Sequence, residues 1–165
     1  MVLEHQTQMH KAFTRPSCTY RKLLFDLHQN GASEESKKEP EILVAQTARE
    51  VVRDLLFYDE TQLTSEVKGS FQLASQFTKR GPTDTQGRSL REFDLQQRLF
   101  RYPCSYLIDS SAFDGLEPEP RKAIHDDLLL VLRGESRDPA FDHLSEDDRR
   151  SILEILRETK TDLPD

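Results

Sequence analysis

Apolar residues recur along most of this chain at the three- and four-residue spacing that places them on one face of an α-helix. The clearest stripe follows Pro40 and runs to Tyr58; its members are Val44, Ala48, Val51, Val52, Leu55 and Leu56. The same spacing predicts further helices over residues 2–29 and 70–79, from Pro103 to Gly115, from Pro118 to Gly134, and after a capping box at Ser145-Glu146-Asp147-Asp148.

Proline and glycine predict where these helices break. Pro16 lacks a backbone N–H and clashes with the preceding turn, so the first segment should form two helical pieces that meet near Arg15. Asn30 and Gly31 should end the second piece, because glycine tolerates the left-handed cap. The polar residues that follow predict a mobile loop over residues 30–40.

Residues 80–102 are the part of the chain whose composition does not follow from helix packing. Arg80-Gly81-Pro82 reads as a turn, and residues 90–100 show neither the helical nor the strand period. We therefore predict an all-α fold: a single domain over residues 1–165, an irregular bundle of five to seven helices with a long irregular loop around residues 80–102. Since Met1-Val2-Leu3-Glu4 enters helical pattern without a cap, we expect the domain to be the C-terminal fragment of a larger protein.

Apolar content and net charge limit the kinds of partner that this chain can bind. Apolar residues make up 35% of the chain, so we expect a modest core that either a partner or a missing segment would complete. The net charge of −7 argues against nucleic acid, because phosphate binding requires a basic surface. The chain contains no run of about 18 apolar residues that would span a membrane and no signal-peptide pattern.

Two residue types near the N-terminus carry candidate ligand chemistry. His5 and His10 could bind a metal or haem iron through imidazole, and Met9 could serve as an axial ligand. Five residues on a helix span about 140° of rotation, so a mononuclear site would use one of the two histidines. The alternative is that both histidines are structural or exposed.

Catalysis is not expected from this sequence. Cys104 could act as a nucleophile only beside an activating base, and a cysteine next to Pro103 in an apolar setting is typically buried and inert. His28, His125 and His143 are scattered and show no metal-binding spacing.

The irregular segment is rich in arginine. Guanidinium groups bind carboxylates and phosphates in a two-pronged way, so Arg88, Arg91, Arg98 and Arg101 are candidate partners of an anionic group such as a haem propionate. The alternative is internal pairing with Asp84, Glu92 and Asp94, which are interleaved with the arginines.

Four segments carry a resemblance that extends from residue 1 to the end: MVLEHQTQMHKAFTR, LLFYDE, GRSLREFDLQQRLFRYPCSYLI and LSEDDRRSILEILRETK. They are similar to the C-terminal region of a poorly characterised family of bacterial exported, cytochrome c-like proteins. The resemblance implies a periplasmic protein with one CxxCH haem-attachment motif upstream of these helices, with a role in electron transfer. Cys18 and Cys104 cannot supply that motif, so this chain cannot attach haem c covalently.

Two functional hypotheses follow. In the first, the chain is the non-catalytic helical domain of a c-type cytochrome-like protein and packs on a haem-bearing domain or redox protein. In the second, it is a helical protein-interaction module with no haem role, binding a partner through an exposed apolar face.

Overall fold

A computed structural model describes residues 1–30, 34–61, 63–67 and 71–163, except for the side chains of residues 30, 34–41 and 71. These residues form six α-helices, two short 3₁₀ turns and no strand, apart from a single antiparallel bridge between Phe93 and Phe100. The all-α prediction is confirmed. The helices are α1 (Val2–Asn30), α2 (Glu34–Leu55), α3 (Phe71–Thr78), α4 (Ser111–Asp114), α5 (Pro118–Leu132) and α6 (Glu146–Thr159), and the 3₁₀ turns are Tyr106–Asp109 and Pro139–Phe141.

The expected break at Pro16 is wrong, because α1 is one continuous helix of 29 residues with Pro16 inside it. Proline costs one backbone hydrogen bond, and packing along a neighbouring helix can offset that cost. Such packing is present here: Met9 and Phe13 are buried, and Arg15 bridges to Glu50 of α2. Tertiary contacts therefore keep α1 helical through Pro16.

The predicted loop over residues 30–40 is also largely wrong. Helix α2 begins at Glu34, so residues 34–40 are helical, and residues 31–33 lie outside the described part of the chain. The segment 34–39 is rich in glutamate and lysine, which are good helix formers. Polar composition is shared by loops and by helices of this kind, so polarity alone does not predict a loop.

Serine caps divide the helix that was expected from Pro103 to Gly115. The Ser105 hydroxyl accepts the Leu107 N–H, and the Ser110 hydroxyl accepts the Phe113 N–H. Serine competes with the backbone for these bonds, so a 3₁₀ turn and the short α4 replace one longer helix. Upstream, residues 80–102 are irregular as predicted, with turns and the Phe93–Phe100 bridge.

The last two helices begin and end as the sequence indicates. Pro118 occupies the start of α5, and Gly134 follows the helix with φ +74°, where a side chain would be strained. The capping box is formed by Ser145 and Asp148.

One continuous core joins the described elements. Helix α2 lies at its centre and packs against α1 on one side and α5 on the other. Ala48, Val52 and Leu55 supply the buried stripe, and Ile124, Leu128 and Ile152 belong to the same core from α5 and α6. Within the described ranges, no helix is both long and apolar enough to cross a membrane.

Candidate functional site

His5 lies in the first turns of α1 and is 8% exposed. Its Nε2 atom is 2.7 Å from the Oγ atom of Ser105, which also accepts the Leu107 N–H at 3.2 Å. A hydroxyl oxygen can accept two hydrogen bonds as well as donate one, so the tautomer of the ring decides whether Nε2 donates to Ser105 Oγ or accepts from it. Burial lowers the pKa of His5 to about 4, so the ring is neutral near pH 7.

Around His5 lies a group that we call the aromatic cluster. The His5 ring stacks on Phe57 with centroids 4.6 Å apart, and Phe100 contacts Tyr106 edge-on at 5.6 Å. These offset and edge-on geometries are the favoured arrangements of aromatic rings. The full cluster comprises His5, Phe57, Phe77, Phe93, Phe100 and Tyr106.

A cleft of about 410 Å³ opens beside this cluster, between the start of α1 and the turn that follows α2. His5 and Met9 both line it, together with Phe57, and Met9 is fully buried. The structure therefore brings two of the three candidate ligands to one cleft, whereas His10 is exposed. Among the described residues, no group of three or more His, Cys, Asp and Glu side chains is arranged to hold a metal ion.

Carboxylates line the same cleft. Asp54 is exposed and Glu60 is partly buried there, and desolvation raises the pKa of each above its ordinary value. Glu60 also accepts the Leu99 N–H at 3.0 Å, which ties the turn after α2 to the irregular segment. The cleft thus combines an aromatic wall with an acidic rim.

Three of the four candidate arginines are engaged by the chain's own acids. Arg88 Nε is 2.6 Å from Asp84 Oδ2, and a second nitrogen is 2.9 Å from Glu154. Arg98 bridges to Asp148 at 2.6 Å, and Arg101 bridges to Glu92 at 3.0 Å. The chain's own acids therefore pair these three arginines, and two of the acids, Asp84 and Glu92, are among those interleaved with the arginines in the sequence.

Arg91 differs from its neighbours. No described carboxylate lies within ion-pairing distance of its guanidinium, which instead lies 4.2 Å from the Tyr106 ring centroid and 5.0 Å from that of Phe77. Burial lowers the pKa of Arg91, and the positive charge of Arg80 acts in the same direction. Arg91 is therefore a partly buried cation that rests on the aromatic cluster.

Cys104 is fully buried, and burial raises the pKa of its thiol far above the ordinary value. A thiol held in its protonated form is a poor nucleophile, so the geometry offers no support for cysteine chemistry at this position. Cys18 is an exposed free thiol on α1.

Sequence reasoning missed two polar groups. Ser105 gave no local signal, because its partner His5 lies 100 residues away. Asp109 ends the apolar run Tyr106-Leu107-Ile108, and its Oδ1 atom is buried without a hydrogen-bond partner in the described chain. Burial raises the pKa of Asp109 to about 6. An acid at the end of an apolar run was the available signal for it.

Asp109 lines a second cleft, of about 360 Å³. Lys160 and Arg121 line it too, and Lys160 forms ion pairs with Asp114 and with Asp162, the latter at 3.4 Å. Pro82, which follows Gly81 in the turn beside Arg91, forms part of its wall.

No family model, curated protein or solved structure matches this chain.

Proposed function

We propose that this chain is a non-catalytic helical domain of a c-type cytochrome-like protein and that it packs on a haem-bearing domain. The observation that carries the proposal is the meeting of His5 and Met9 at one cleft with an aromatic wall. The sequence resemblance adds the expectation of a CxxCH motif upstream and of an exported, periplasmic location. When bound, a c-type haem supplies one-electron redox chemistry.

The residues of this chain suit a cover for haem. Covalent attachment requires CxxCH, and Cys18 is exposed while Cys104 is buried on a different element. His5 offers Nδ1 as a ligand in the tautomer whose Nε2 carries the ring proton and donates it to Ser105. Met9 lines the cleft but is fully buried, so it supports the apolar wall of the cleft and does not present its sulfur to a ligand.

A haem peptide tests this function. We would titrate the 165-residue protein with a short CxxCH peptide carrying one haem, following comigration by size exclusion and the Soret band by absorbance. We expect comigration, with a Soret shift that is lost in His5→Phe and retained in His10→Ala and in the distant control His28→Ala. The phenyl ring keeps the stacking on Phe57 but cannot ligate iron. Absence of both comigration and a Soret shift in the wild-type protein would contradict the proposal.

A second function is favoured by a different surface, which we call the hairpin tip: Leu24 and Phe25 on α1 with Ile42 and Leu43 on α2. Leu24, Phe25 and Ile42 are 47%, 62% and 59% exposed. The Arg15–Glu50 ion pair places this part of α1 alongside this part of α2, so the four residues occur at similar heights along the two helices. An exposed apolar patch of this kind is typical of a protein-interaction module.

The two functions use different faces, so paired variants separate them. Phe25→Ser with Ile42→Ser should leave binding of the haem peptide unchanged if the cleft is the docking face. If the hairpin tip is the docking face, the same variant should abolish binding.

A further inference from the structure

We infer that the Arg91 guanidinium is a preformed binding site for a carboxylate group. The arginines of the irregular segment differ in how they are paired. Arg88, Arg98 and Arg101 each have a carboxylate within 3.0 Å, whereas Arg91 forms no ion pair or side-chain hydrogen bond with any described residue. The guanidinium carries five N–H donors, and none of those of Arg91 is a buried donor without a partner, so they are open to a ligand from solvent.

The position of Arg91 is fixed before any ligand arrives. Its Cζ atom lies 4.2 Å from the Tyr106 ring centroid and 5.0 Å from the Phe77 ring centroid. These cation–π contacts hold the guanidinium in place. Gly81 lies directly against the stem, so closely that an added Cβ atom would come within 2.5 Å of Arg91 Cδ. The backbone is held as well, because Thr78 Oγ1 donates to the Arg91 carbonyl at 3.1 Å. A ligand would therefore find the side chain already ordered, which reduces the entropic cost of binding.

The surroundings select the kind of anion. A planar carboxylate matches the two parallel N–H groups of a guanidinium. A phosphate would present further oxygens that need donors, and Arg80, the cation whose charge bears on the pKa of Arg91, is itself exposed. Asp109 also acts on Arg91, and its negative charge disfavours a dianion more than a monoanion. These features favour a single carboxylate.

Such a carboxylate could come from a haem propionate or from a free small carboxylic acid. The first source rests on the proposed function, whereas the second does not. Both are tested by the ¹H–¹⁵N resonance of Arg91 Nε during titration with sodium propionate, with haemin and with haemin dimethyl ester, in which both propionates are blocked. Arg101→Gln is the matched control, since Arg101 is already paired with Glu92 and its side chain is 63% exposed.

We expect propionate to shift the Arg91 Nε resonance in the wild-type protein and in Arg101→Gln. Arg91→Gln should weaken propionate and haemin binding by about tenfold or more, and Arg91→Lys, which keeps the charge but loses the fork, should weaken them less. If blocking the propionates weakens haemin binding as much as Arg91→Gln does, the source is haem. If haemin and its ester bind equally while propionate still shifts Arg91, the source is a free carboxylate.

The inference is overturned if propionate leaves the Arg91 resonance unmoved, or if Arg91→Gln binds propionate as well as Arg101→Gln does. Far-UV circular dichroism of each variant confirms that a loss of binding is not a loss of fold. If propionate does not bind while the haem peptide still comigrates with the protein, the carboxylate site is wrong and the proposed packing on a haem-bearing domain stands. If propionate shifts the Arg91 resonance but the haem peptide does not comigrate, the carboxylate site stands and the proposed packing is wrong.

Discussion

The His5 imidazole and the Ser105 hydroxyl lie 2.7 Å apart although 100 residues separate them in the chain. His5 belongs to α1, and Ser105 caps the 3₁₀ turn Tyr106–Asp109. The hydrogen bond therefore ties the first helix to the irregular segment that carries the arginines.

Removing the Ser105 hydroxyl should destabilise the fold. In Ser105→Ala, His5 Nε2 and the Leu107 N–H both lose their partner while remaining buried. The expected loss in the free energy of unfolding is about 1–3 kcal/mol, measured by urea denaturation. The exposed loop residue Ser65 gives the control, and Ser65→Ala should change stability by less than about 0.5 kcal/mol. Equal effects of the two substitutions would contradict a structural role for the His5–Ser105 bond.

The lowered pKa of His5 should make stability depend on pH. The histidine pKa is 6.5 in the unfolded chain and about 4 in the folded one, so between these values the unfolded state binds more protons. The contribution of His5 is fully present above pH 6.5 and is lost as pH falls toward 4, with a slope of up to about 1.4 kcal/mol per pH unit. His5→Phe should flatten the stability profile in this window. An unchanged profile would show that His5 titrates normally in the folded protein.

Asp109 should act with the opposite sign. Burial raises the pKa of Asp109 from 3.8 to about 6, so between these values the folded state binds more protons and this group favours folding as pH falls. Asp109→Asn removes the buried charge and should stabilise the protein at pH 7.5, with the gain shrinking as pH falls from 6 to 3.8. Exposed Asp126, paired with Lys122, provides Asp126→Asn as the control. A gain that does not change with pH would contradict this assignment.

Gly81 should control the carboxylate site through the stem of Arg91. In Gly81→Ala the new Cβ atom would lie 2.5 Å from Arg91 Cδ, so the side chain must leave its place on Tyr106. We expect weaker propionate binding although no charge is removed, measured from the Arg91 Nε resonance.

Gly87→Ala is the matched control for Gly81→Ala. Gly87 has φ +78°, and an added Cβ atom would meet nothing within 4 Å, so the substitution should cost about 1 kcal/mol of stability from backbone strain alone. Propionate affinity should be unchanged in Gly87→Ala. Equal losses of affinity in the two variants would show that Gly81 has no specific role at the carboxylate site.

Helix content could be predicted from the sequence because α2, α5 and α6 carry apolar periodicity, and because Pro118 and Gly134 bound α5 and the capping box begins α6. The continuity of α1 could not be predicted, because Pro16 is tolerated through packing against α2, and such packing is not visible in the local sequence pattern. The start of α2 was missed because charged residues that favour a helix also resemble those of a loop.

The sequence predicted which residue types form the candidate site. It was much less informative about which acid pairs with which arginine. The interleaved acids near Arg101 suggested its bond to Glu92, but Arg98 pairs best with Asp148, 50 residues away. Similarly, nothing local distinguishes Arg91 from the other arginines. Its different surroundings become visible only in the structure, where Phe77, Gly81 and Tyr106 converge on its side chain.

Hydrogen–deuterium exchange with and without the haem peptide tests most directly whether the cleft is the face that packs on a haem-bearing domain. The account predicts slower exchange in residues 1–9 and 53–61, which line the cleft, and no change at the hairpin tip. Slower exchange confined to residues 20–29 and 42–46, or no change anywhere in the protein, would contradict it.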